Sequence, residues 1–117
     1  MNELDKLEAY LKAHGYFYER IESECTLPDI SREECIRRFH HPFDRHQIIV
    51  YDCDISDMDE NEQHEHIAWD VICHWGSYGY EEGLLEGMGD IFNDDYDVEG
   101  YLTAEDVIAK LEKEDNE

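Results

Sequence analysis

The chain has 117 residues, with 32 Asp and Glu against 9 Lys and Arg, for a formal charge of −23. That length excludes two ordinary domains, and the charge excludes direct docking on nucleic acid or an anionic membrane, because phosphate binding needs the opposite sign. With 41% hydrophobic and 12% aromatic residues the chain still has the material for a core, so one folded acidic domain spanning residues 1–117 is expected.

Asn2 stands where an N-cap belongs, with Asp5 three residues on. Leu4, Leu7 and Leu11 follow at helical spacing, and Gly15 sits at the position of a terminating glycine. The pattern predicts a helix. Tyr16 to Ile21 is aromatic and β-branched with partial alternation and predicts a strand. Ser31 and Glu34 have the spacing of a capping box, and Ile30 can staple to Cys35, which predicts a short helix through about Phe39. His46 to Asp52 and Ile67 to Cys73 are the two strongest β runs and should pair as an antiparallel hairpin. The connection between them, about residues 53–66, is too polar to pack and too long for a tight turn, so it reads as an exposed acidic loop with room for one helical turn. Within Tyr80 to Phe92, the residues Leu84, Leu85, Met88, Ile91 and Phe92 mark one helical face, interrupted by Gly83, Gly87 and Gly89. Thr103 with Asp106 opens a last helix carrying the stripe Ala104, Val107, Ile108 and Leu111. The expected architecture is α+β, a small antiparallel sheet covered by helices, in the order α-β-α-β-β-α-α.

The acidity is uneven. Residues 1–46 hold 10 acids and 7 bases, residues 47–80 hold 8 acids and no Lys or Arg, and residues 81–117 hold 14 acids and 2 bases. No stretch approaches a membrane span and the start lacks a signal-peptide pattern, which predicts cytoplasmic residence and four cysteines (Cys25, Cys35, Cys53, Cys73) kept as thiols.

Three patterns point toward site chemistry. Asp95, Asp97 and Glu99, with Gly100, Leu102 and Asp106, follow the spacing of a calcium loop, but Asp106 is one methylene shorter than the Glu that closes such a site. His40, His41, His64, His66 and His74, with Cys53 and Cys73, are zinc-type donors without a C-x-x-C pair. Cys73 beside His74 suggests a nucleophile and base, yet neighbours in a strand point to opposite faces. No cofactor and no catalytic residue are therefore assigned.

Asp44 to Asp52, Trp69 to His74, Gly76 to Glu86 and Val98 to Ile108 resemble a group of small proteins encoded on bacterial plasmids and integrated elements. In that group the two β runs are joined by a shorter connection, so the acidic loop is a departure. Small acidic proteins of mobile elements include anti-CRISPR and anti-restriction inhibitors, and the resemblance implies such a role by analogy. A charge far beyond what solubility needs points the same way, because surface carboxylates can occupy a groove that a basic protein reserves for phosphates. The expected function is a non-enzymatic binding protein that blocks the basic channel of a nucleic-acid-binding enzyme, most specifically an RNA-guided nuclease. The expected contacts are Asp54, Asp57, Asp59, Glu60 and Glu62 in the loop, and Asp94, Asp95, Asp97 and Glu99 ahead of the last helix.

Overall fold

The computed structural model describes residues 2–23, 29–40, 45–73, 79–89, 91–92 and 99–115. The protein is α+β. Helix α1 (Glu3–Ala13) leads into strand β1 (Phe17–Ser23). Helix α2 (Arg32–Phe39), strand β2 (Arg45–Tyr51), helix α3 (Glu60–Glu65) and strand β3 (Ile67–Ile72) follow. A 3-10 turn (Tyr80–Glu82), strands β4 (Leu85–Gly89) and β5 (Glu99–Leu102), and helix α4 (Ala104–Asp115) complete the chain. The five strands form one antiparallel meander in the order β1-β2-β3-β4-β5.

Local chemistry sets the helix ends. The Asn2 side chain accepts from the Asp5 amide (2.7 Å) and Asp5 accepts from the Asn2 amide (3.2 Å), which closes a capping box on α1. At its other end the Tyr16 amide donates to the Leu11 carbonyl (3.0 Å) across Gly15, whose φ of +74° is the left-handed value this terminating motif requires. Ser31 Oγ accepts from the Glu34 amide (3.1 Å) and starts α2. Thr103 and Asp106 cap α4 reciprocally at 3.0 and 3.1 Å. The Ala104 amide, an otherwise orphaned donor at the start of α4, also donates to Glu3 Oε2 of α1 (2.6 Å). This bond spans nearly the whole chain and joins the two helix starts.

Register determines the two faces of the sheet. Ile48 and Val50 of β2, Trp69 and Val71 of β3 and Leu85 of β4 share one face and pack with Leu4, Leu7 and Leu11 of α1 and Val107 and Leu111 of α4 in a single buried cluster. Arg20 lies on that side of β1. Its Nη1 reaches Asp5 Oδ1 (2.8 Å) and Glu8 Oε1 (3.0 Å) on α1, and its Nη2 reaches Glu22 Oε1 (2.6 Å). Burial works against the Arg20 charge, but the three carboxylates outweigh it and hold the guanidinium more firmly protonated. The same guanidinium, followed by the Asn2 amide, holds the Asp5 carboxyl below its ordinary range.

The structure corrects the expected order in two places. Residues 80–89, expected to begin a helix running to Phe92, are instead the 3-10 turn followed by β4. Residues 99–102, expected ahead of the last helix as loop, are β5. The helical turn for which the acidic connection has room is present as α3. In β4 the operative period is two: Leu85 and Gly87 are buried, while Met88 is 49% exposed. Gly87 is required by close approach, since a Cβ there would lie 2.4 Å from Phe92 Cζ. The Phe92 ring meets Trp69 edge-on, with centroids 5.8 Å apart at 79°. The apolar spacing that resembles a helical stripe is thus a strand plus a ring folded back over its glycine.

Gly87→Ala should therefore lower stability by about 1–3 kcal/mol in denaturant melts, the range for forcing a methyl into a packed site. In a Phe92→Ala background the same substitution should cost much less, because the clash is removed. Additive costs in the double variant would contradict the Phe92-over-Gly87 packing.

Candidate functional site

From residue 46 through residue 109 the chain contains 18 Asp and Glu and no Lys or Arg. Among the described residues no charged residue is buried, so the fold leaves the described acids of this run at or near its surface. Among the described residues, the β2–β3 connection holds a dense group of exposed acids. Asp54, Asp57, Asp59, Glu60 and Glu62 are all exposed there and belong to one short segment around α3.

Two of these five have local backbone duties. Asp59 is the N-cap of α3, accepting from the Glu62 amide at 2.9 Å. Asp54 Oδ1 accepts from the Ser56 amide at 3.0 Å, and that bond holds the Asp54 carboxyl below the usual range. Asp57, Glu60 and Glu62 carry no such duty among the described contacts. Asp59, Glu60 and Glu62 also lie at the start of α3, where negative side chains are favoured.

Beside α3 lies a groove of about 320 Å³, walled by α3 and the outer face of β1 and β2. Ile21, Ile49 and Tyr51 supply apolar surface, Glu19 and Glu60 supply carboxylates, and Arg45 stands at its edge. Tyr51 donates to Glu19 Oε1 at 3.3 Å, and burial followed by the Glu19 charge pushes the phenol up, so it stays a donor. Further along this outer face Asp70 accepts from Gln47 (2.9 Å), and burial raises its carboxyl despite that bond, with Glu86 adding to the effect.

The second expected acidic group is placed only in part. Asp94, Asp95 and Asp97 lie outside the described residues. Glu99 sits in β5, not in a loop, and its Oε2 is 3.0 Å from Lys110 Nζ of α4. Its carboxylate therefore ties a strand to a helix. Of the calcium-loop positions, Glu99 has this partner, and Asp106 is engaged in the α4 capping box. The Cys73 thiol is half-buried and burial pushes it up, which is the opposite of an activated nucleophile; His74 lies outside the described residues.

One constellation is new. Asp52, Cys53 and His66 present a carboxylate oxygen, a thiol sulfur and a ring nitrogen within 4.8 Å of one another at the foot of the acidic connection. His66 Nδ1 is 2.9 Å from Asp52 Oδ1. Burial, followed by the Asp52 and then the Asp54 carboxylate, pushes the Cys53 thiol up. His66 and Cys53 are zinc-type donors legible in the sequence; their meeting with Asp52 is a product of the fold.

No family model, curated protein or solved structure matches the chain. No helix among the described residues is long and apolar enough to cross a membrane.

Capping gives this segment a direct test. Asp59→Ala should lower hydrogen-exchange protection of the Glu62 amide by about 1 kcal/mol while barely moving the melting temperature, because α3 buries no residue. Asp59→Asn, an equivalent cap, should keep the protection. Equal losses in both variants would mean that the carboxylate charge, not the cap, holds α3.

Proposed function

We propose that the protein is a stoichiometric inhibitor that occupies the basic channel of a nucleic-acid-binding enzyme, most specifically an RNA-guided nuclease. The observation that carries this reading is the run of 18 acids without a Lys or Arg in the sequence, none of whose described members is buried in the fold. Magnitude supports it. Duplex DNA carries one charge per about 1.7 Å of axis, so a duplex as long as the molecule's 49 Å dimension holds about 29 phosphate charges. The protein's net charge of −23 is of the same order. A body with that charge density can compete for sites built to neutralise a phosphate backbone, and it needs no base-reading chemistry.

The groove beside α3 offers a more specific contact. The stem of an Arg or Lys can lie on Ile21, Ile49 and Tyr51 while its cationic head meets Glu19 or Glu60. Such a contact favours a cationic protein surface over a free cation, because it rewards the apolar stem as well as the charge. RNA-guided nucleases hold guide and target in positively charged channels, which supplies the chemistry this surface matches.

An order-of-addition cleavage assay tests the proposal. The protein added to a nuclease before its guide or target should inhibit near one-to-one stoichiometry, and the same amount added after the target duplex is bound should inhibit far less. Equal inhibition in both orders would place the contact outside the channel. Inhibition at amounts far below the nuclease would indicate a catalytic activity instead, and no inhibition across several nuclease types would remove the nuclease assignment.

A further inference from the structure

We propose that Asp52, Cys53 and His66 form a binding site for a zinc-class divalent transition-metal ion, independent of the inhibitor reading. The three donor atoms lie within 4.8 Å of one another. Tetrahedral zinc, with bonds of about 2.0 to 2.3 Å, sets its donors about 3.3 to 3.8 Å apart, so closure asks for side-chain movements of about 1 Å.

The backbone already holds the donors on one side. Asp52 and Cys53 are sequence neighbours and would point to opposite faces if β2 continued. The strand instead ends at Tyr51, and the pairing slips by one residue, from Val50 opposite Trp69 to Tyr51 opposite Ile67. The extra residue, Ala68, lies on β3, so the bulge bends β3 just beyond His66, while Asp52 and Cys53 follow the end of β2. The Asp52 amide then donates to the His66 carbonyl (2.9 Å), and the His66 amide donates to the Gln63 carbonyl (3.0 Å) at the end of α3. The connection is thus closed at its base by the same two residues that offer the carboxylate and the imidazole.

The donor set selects the ion. A sulfur and an imidazole nitrogen beside one carboxylate suit zinc and disfavour calcium or magnesium, which take oxygen. Exposure is intermediate at Cys53 and His66 and high at Asp52, so an ion has a path in from solvent. The hydrogen bond between His66 Nδ1 and Asp52 Oδ1 leaves each side chain a second donor atom, so this pairing can orient the ring for the ion or yield to it. Three protein ligands leave a fourth position open to water or to a partner's side chain. The ion would clamp the base of the connection that carries Asp54, Asp57, Asp59, Glu60 and Glu62.

Titration of the full, reduced chain with zinc alone, and with cobalt as a spectroscopic stand-in, tests the site. One equivalent should bind in the presence of excess magnesium, and cobalt should show thiolate-to-metal charge-transfer absorption. Cys53→Ser should abolish that absorption and weaken zinc binding at least about tenfold; His66→Gln should weaken it comparably, and Cys73→Ser should leave both unchanged. Circular dichroism of each metal-free variant checks the fold. Zinc binding that is displaced by magnesium, or that is the same in wild type and in folded Cys53→Ser, would mean diffuse association with carboxylates and would overturn the proposal.

Discussion

The apolar layer between the two long helices and one face of the sheet is the interaction on which everything else depends. A net charge of −23 on 117 residues opposes compaction, and only burial of apolar area is large and non-directional enough to offset it. Leu7, Leu11, Ile48, Val71, Leu85 and Val107 are fully buried in that layer, drawn from α1, α4 and three strands. Because the layer is filled by side chains without charge, the carboxylates are left on the outside. The acidic surface is the geometric complement of the core.

Two of the cations, Arg20 and Lys110, tie elements of this layer together. Arg20 connects β1 to Asp5 and Glu8 of α1, and Lys110 connects α4 to Glu99 of β5 and lies 6.0 Å from the centre of the Phe92 ring. Arg37 and Arg38 both pair with Glu34 within α2. Bases are thus spent where acids meet the scaffold, whereas the β2–β3 connection has none. That separation gives the proposed inhibitor a rigid body and a concentrated acidic edge, and it places the Asp52, Cys53 and His66 donors at the joint between them.

Features set by near neighbours were legible in the sequence. The Asn2–Asp5 and Thr103–Asp106 caps, the Gly15 terminator and the β2–β3 hairpin each depend on residues a few positions apart or on a simple alternation, and each is present. In segment 80–92 the spacing of Leu84, Leu85, Met88, Ile91 and Phe92 fits a helical period by coincidence, although the chain forms a turn and a strand there. The decisive fact, a Phe92 ring lying over Gly87, exists only after the chain folds back. The Glu3 bond to Ala104, the Arg20 cluster and the Asp52–Cys53–His66 constellation join residues distant in sequence, so no spacing rule announces them. The loop acids Asp54 to Glu62 are legible as surface residues, but the turn bond of Asp54, the cap made by Asp59 and the strand position of Glu99 arise only in the fold.

The central claim is that the acidic connection acts through charge presented to a basic partner. The most direct measurement is the salt dependence of affinity for the inhibited nuclease, compared between wild type and the triple variant Asp57→Asn, Glu60→Gln, Glu62→Gln, which spares the carboxylates of Asp54 and Asp59 that accept from backbone amides. The account predicts that log affinity falls steeply with log salt for wild type and that the variant binds more weakly with a shallower slope, converging on wild type at high salt. Equal slopes for the two proteins, or an affinity flat across salt, would contradict it.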